Sequence, residues 1–375
     1  MSAPSHPQPW ARALRQARIE HGWDPHRLAS ELQRADHKPS ATTESLARRI
    51  RDWERGKHHI QERYRLLLAQ VLDLDAADLA PEPDEPTPQN HRARQTSAHI
   101  IALNEIHGST DLLPLAVRSA HTALADAHTQ ATSDMASAAA EALQVAGWIA
   151  FDADEHLLAR RLTSASVLTA RVGSDRAAEL FALSQLAMHD AHEHRPENAR
   201  TVSEYALSWN LTPHMEALFL LRLARAHGQS NSPDRAVRTL NRSRSLLQEG
   251  PTTGDPPWAD WLTDAELHWH EAMIHADNER WFTATDLFEA AYRSRPPSPY
   301  RRSALSYAAH HAHALAQVGS WASVHEVLST AVLPELGGIR SGRTRALLAR
   351  AQTLAWQDNA PTAIQDALQM ATAGL

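Results

Sequence analysis

The chain has 375 residues, 43% hydrophobic and 22% charged, with a formal net charge of −7; it belongs with globular proteins and exceeds one ordinary domain. The absence of cysteine removes disulfides, thiolate metal sites and cysteine nucleophiles together. No run approaches the roughly 18 consecutive apolar residues of a membrane helix, and MSAPSHPQPW lacks the charged start and apolar stretch of a secretory signal, so a cytoplasmic protein is expected, with no membrane partner.

Only 13 glycines are present and alternating Val/Ile/Thr strands are missing, while apolar residues recur at three- and four-residue spacing. The expected class is therefore all-α. In chain order, a first helix is predicted over 10–21, ending at Gly22. A second starts after Asp24, an N-cap followed by Pro25 at the first helical position, with Leu28 and Leu32 facing inward. After the polar loop HKPSATT, a third begins near Thr43 and places Leu46, Ile50 and Trp53 on one stripe. Its other face shows Ser45, Arg48, Arg49 and Asp52. Gly56 stops it, and 61–74 forms a fourth amphipathic helix.

Charge is concentrated here. Residues 48–65 hold seven Lys/Arg against three acids, and 1–80 is net positive by two, whereas the remaining 295 residues carry −9. Three short helices with a basic third face are the layout of a helix-turn-helix reader, whose third helix enters the major groove. The run LARRIRDWERGK…QERYRLLLAQVLDL resembles the recognition-helix end of the Cro/repressor-type (XRE) family, with Ile50, Trp53, Glu54 and Gly56 on the matching positions. That layout makes Thr43, Ser45, Arg48, Arg49 and Asp52 the base-facing candidates, and Arg55, Lys57, His58 and His59 the phosphate contacts; the expected partner is double-stranded DNA. Trp53 and Ile50 are assigned to the core by their stripe, and Glu54, which phosphates would repel, is read as a structural hydrogen-bonding partner or a solvated charge.

PEPDEPTPQNH, 81–91, has four prolines and three acids and reads as a linker between a head of 1–80 and a helical body of 92–375. In the body, six helix pairs align on a small residue: Ala159, Ala199, Ala236, Ala284, Ala322 and Ala363, spaced 40, 37, 48, 38 and 41 apart. The insert QEGPTTGDPPWADW accounts for the long spacing. Such pairs resemble tetratricopeptide (TPR) repeats, although they exceed the family's period of about 34 residues. That resemblance implies a superhelix with a long concave face. The combination resembles actinomycete-type regulators of Gram-positive bacteria, in which the repeats bind a peptide signal or mediate dimerisation. A homodimer and a peptide or small-molecule effector are thus expected.

The candidate effector residues are polar positions on the first helix of a pair: Arg222, Arg225, His268 and Asn278, arginine being able to clamp a carboxylate and asparagine to pair with a peptide backbone. The 24 histidines include the pairs His189/His192 and His310/His313, but no three-ligand pattern emerges, and no metal or other cofactor is expected. ELGGIRSGRTR, 335–345, lacks phosphate-loop spacing and reads as a basic inter-repeat loop; DAD at 152–154 and HEH at 192–194 read as loop ends. No catalytic motif is visible, so an enzyme is not expected. The alternative function is a protein-interaction adaptor whose head no longer binds DNA.

Overall fold

In a computed structural model the chain is all-helical, with no strand among the described residues, which are 9–36, 41–57, 60–74, 79, 88–294 and 301–375. The helices divide into two compact units. Unit one holds α1 (Pro9–Glu20), α2 (Pro25–Ala35), α3 (Thr43–Glu54) and α4 (Glu62–Leu72). Its boundaries follow local chemistry. Asp24 Oδ1 accepts the Arg27 N–H at 2.7 Å to cap α2, and Thr42 Oγ1 accepts the Ser45 N–H at 3.2 Å to cap α3. Leu14, Leu28, Leu32, Leu46, Ile50, Trp53 and Leu68 form one buried core, with the Trp53 and Tyr64 rings 5.3 Å apart. At its edge, Arg18 of α1 donates from Nε at 2.5 Å and Nη2 at 2.9 Å to the Glu54 carboxylate. Glu54 is thus a structural partner that fastens the end of α3.

Unit two opens with α5 (Pro88–His107) and α6 (Leu113–Gln130). Residues 81–87 of the expected linker lie outside the described residues, and α5 takes up the rest of that segment. Six helix pairs follow: α7 (Ser133–Asp152) with α8 (His156–Val172), α9 (Arg176–His192) with α10 (Pro196–Leu207), and α11 (Pro213–Gln229) with α12 (Pro233–Gln248). The others are α13 (Asp264–Ala276) with α14 (Trp281–Ser294), α15 (Arg301–Gln317) with α16 (Trp321–Val327), and α17 (Gly342–Gln357) with α18 (Thr362–Gly374).

One turn joins the two helices of every pair. A single residue takes a left-handed conformation (Asp154, His194, Asn231, Glu279, Gly319 or Asn359), and the next N–H reaches back five residues, as Glu155 N does to Ala150 O at 2.9 Å. This closes the orphan carbonyls at the end of the first helix. The second helix then buries its fourth residue: Ala159, Ala199, Ala236 and Ala284 are almost completely covered, letting paired backbones approach. The last two pairs depart from the expected register. Ala322 and Ala363 are exposed, and Val324 and Ile364 take the buried places. In α16 the change accompanies a short helix that widens into a π turn over Leu328–Val332.

The array of pairs closes on itself. Helix α17 packs against α7, and α15 against α5. The segment before α17 completes the join: Arg340 N donates to His107 O at 2.8 Å, and Thr110 N donates to Arg340 O at 3.2 Å. ELGGIRSGRTR is therefore the closing segment of unit two, a role that its glycines and arginines do not announce. The first helices of the pairs line one common interior.

Candidate functional site

Unit one presents a fastened helix with cations on its outer face. The Thr43 hydroxyl donates to Gln33 Oε1, tying the first turn of α3 to α2, and Ser45 sits half-buried beside its cap. Arg48 is exposed and Arg49 half-buried; neither is within ion-pair distance of an acid among the described residues. Asp52 is turned along the helix toward Lys57 at 3.7 Å and Arg55 at 3.9 Å, both exposed. His58 and His59 lie outside the described residues.

Unit two holds a cavity of about 300 Å³, a volume in the range of small-molecule sites. Every first helix of a pair contributes to it: Trp148 from α7, Phe181 from α9, Arg222 from α11, Trp269 from α13, Tyr307 from α15 and Arg343 from α17. The proline-rich insert also takes part. Its 3₁₀ turn, Pro257–Trp261, stacks Trp258 on Phe181 at 4.4 Å and turns Trp261 into the wall.

Behind the aromatic wall lies a buried charge cluster. Asp152, wholly covered, accepts from the Ser109 hydroxyl at 2.7 Å and pairs with Arg343 at 3.2 Å and Arg302 at 3.5 Å. Burial acts to raise its carboxyl, but Arg302, Arg343 and the Ser109 hydroxyl outweigh that and hold it below the ordinary range. Arg302 also reaches Glu105 at 3.4 Å and lies over the Trp148 ring at 4.9 Å. Asp152 is thus no loop end; it joins three helices far apart in sequence.

Of the four expected effector residues, only Arg222 enters the cavity. Arg225 is paired with Asp277 at 2.9 Å, where Gln229 also binds. His268 points to Ser294, and Asn278 donates to the Ile274 carbonyl of its own helix end at 2.8 Å. Arg302 is not among the sequence candidates, and Arg343 and Asp152 are read there as loop residues; only Arg222, a charge within the otherwise apolar LFLLRLARAHG, carries a local signal of burial. Among the described residues, His156, His192 and Glu193 bring three potential metal-ligand atoms within 4.8 Å of one another, a grouping that the helical histidine pairs did not anticipate. His156 Nε2 already lies 3.0 Å from Asp154.

Several histidines of unit two are neutral packing groups. His189 stacks on Phe151 at 4.5 Å, and neither of its nitrogens has a hydrogen-bond partner among the described residues. Burial, with His156 and Arg222 adding repulsion, lowers it from 6.5 to about 3, and burial takes His310 to about 3 as well. The unfolded chain binds protons at these positions below about pH 6.5 and the folded unit does not. Stability is therefore lost as pH falls from about 6.5 toward 3, by up to about 1.4 kcal/mol per pH unit for each group. His189→Phe is expected to flatten the pH dependence of urea unfolding by about one proton between pH 6 and 4. An unchanged slope would mean that the imidazole is protonated in place.

No protein-family model matches the chain, and no curated protein matches it.

Proposed function

We propose that the chain is a DNA-binding transcriptional regulator, with residues 1–80 as an XRE-type helix-turn-helix head and residues 92–375 as a TPR-like sensing body. The observation that carries this reading is α3. Its inner stripe, Leu46, Ile50 and Trp53, is locked in the core, its first turn is tied to α2, its end is fastened by Arg18, and its outer face offers Arg48 and Arg49 without acid partners among the described residues. A recognition helix needs that rigidity, because a guanidinium fork pairs with both guanine acceptors only when its backbone is fixed. Asp52 then serves to orient Arg55 and Lys57 toward phosphates rather than to read a base. The head acts as a dimer on two half-sites, and the body reports a signal.

Selection of random duplex DNA by the full-length protein at two salt concentrations tests the reading, with an enriched palindrome as the expected result. Arg48→Ala and Arg49→Ala should each cost about 1–3 kcal/mol on the selected site and relax its sequence requirement. Lys57→Ala should weaken all sequences alike and lower the salt slope by about one. Sequence-independent binding, or none, would instead leave the head as part of an interaction adaptor.

A further inference from the structure

We infer that the cavity of unit two takes a compact aromatic monocarboxylate, with its carboxylate on Arg222 and its ring against Trp148, Trp261 and Trp269. The inference deepens the sensing role proposed for the body and rests on it for its biological meaning. Three observations carry it. The first is closure. Because α17 meets α7 and α15 meets α5, the six first helices line one cavity of about 300 Å³, a volume that suits a small molecule better than an extended peptide. The second is the wall, to which Trp148, Phe181, Trp261, Trp269 and Tyr307 contribute aromatic faces. Such faces bind flat rings by apolar burial and ring stacking.

The third is charge. Three arginines line the chamber, and two of them are matched: Arg302 by Asp152 and Glu105, and Arg343 by Asp152. Arg222 is not. It is 3% exposed, no carboxylate lies within 4 Å of it among the described residues, and its Nε has no acceptor. Its near neighbour is His270, with Nη1 2.5 Å from Nε2, a ring that burial keeps neutral. The nearest acid of the wall, Glu266, is engaged by the Tyr307 hydroxyl and faces His270 at 3.7 Å. Burial lowers Arg222 to about 10, which leaves it charged at neutral pH. Glu266 favours the Arg222 charge from beyond ion-pair distance, so a ligand carboxylate would supply the direct partner that this buried guanidinium lacks.

The test is isothermal titration of the full-length protein at neutral pH with indole-3-acetate, 1-naphthoate and benzoate, set against indole-3-acetamide, tryptamine and tryptophan. At least one acid is expected to bind, and indole-3-acetate to bind at least tenfold more tightly than its amide. Arg222→Met should erase that gap, weakening the acid far more than the amide. Should that variant fail to fold, the acid-against-amide comparison in the native protein decides alone. No binding by any of the three acids at millimolar concentration, or equal binding of the amide, tryptamine or tryptophan, overturns the inference. The titration contains no DNA. A protein that binds the acid but selects no operator refutes the regulator reading alone, and one that selects an operator but binds no acid refutes this inference alone.

Discussion

Asp152→Asn is expected to destabilise unit two by about 3–5 kcal/mol at neutral pH, the cost of leaving buried guanidinium groups without their carboxylate. The asparagine keeps the volume and one acceptor oxygen, so the loss is electrostatic rather than a cavity effect. Arg302 and Arg343 are 7% and 8% exposed, and neither can turn to water without dismantling the wall that each helps to build. Calorimetry should show the unit-two transition moving down by on the order of 10 °C. If stranded charge is the cause, adding Arg343→Met to Asp152→Asn should recover part of the loss, because one uncompensated cation is removed with its partner. A double variant no better than the single would place the cause elsewhere, in the hydrogen bond that the Ser109 hydroxyl donates to the same carboxylate. The pH dependence offers a second check. A carboxyl held below its ordinary value contributes stability above that ordinary value, and the contribution disappears as pH falls through the folded value. The Asp152 contribution is thus lost below about pH 4, whereas the histidine contribution is lost from about pH 6.5 downward.

The parts of the fold that were readable from sequence are those fixed by neighbours in the chain. Asp24, Pro25 and Gly22 bound the first two helices through capping chemistry acting over three or four residues, and the Leu46–Ile50–Trp53 stripe reports one helical face. The pairing of helices was readable where a small residue sits four positions into the second helix, and it misled at Ala322 and Ala363. In an alanine-rich chain an alanine is always within reach of the eye, and the branched Val324 and Ile364 fill the buried places there. The turns were hidden for a different reason. Only one of the six carries glycine, and Asp, His, Asn and Glu occupy the left-handed position elsewhere. The cavity was the least legible feature. Its defining contacts, Arg302 and Arg343 on Asp152, span 150 and 191 residues of chain, and nothing local marks either arginine as buried.

Gly108→Ala should open the closure on which the cavity depends. Gly108 has φ 75°, and a Cβ added there would lie 2.1 Å from the Arg340 carbonyl oxygen, a backbone atom that cannot step aside as a side-chain tip can. Gly319 provides the internal control. Its φ is 70°, but a Cβ there meets nothing within 4 Å. Gly319→Ala should therefore cost only the left-handed strain, about 1–2 kcal/mol. Gly108→Ala adds to that strain a steric cost of about 1–3 kcal/mol, and the Arg340–His107 and Thr110–Arg340 hydrogen bonds give way with it. The two variants are in the same unit, so the difference between their unfolding free energies isolates the join from the backbone strain. Hydrogen exchange should locate the effect: the amides of Thr110 and Arg340 lose protection in Gly108→Ala and keep it in Gly319→Ala. Equal costs for the two variants would show that the Gly108–Arg340 join adds nothing to the stability of the array.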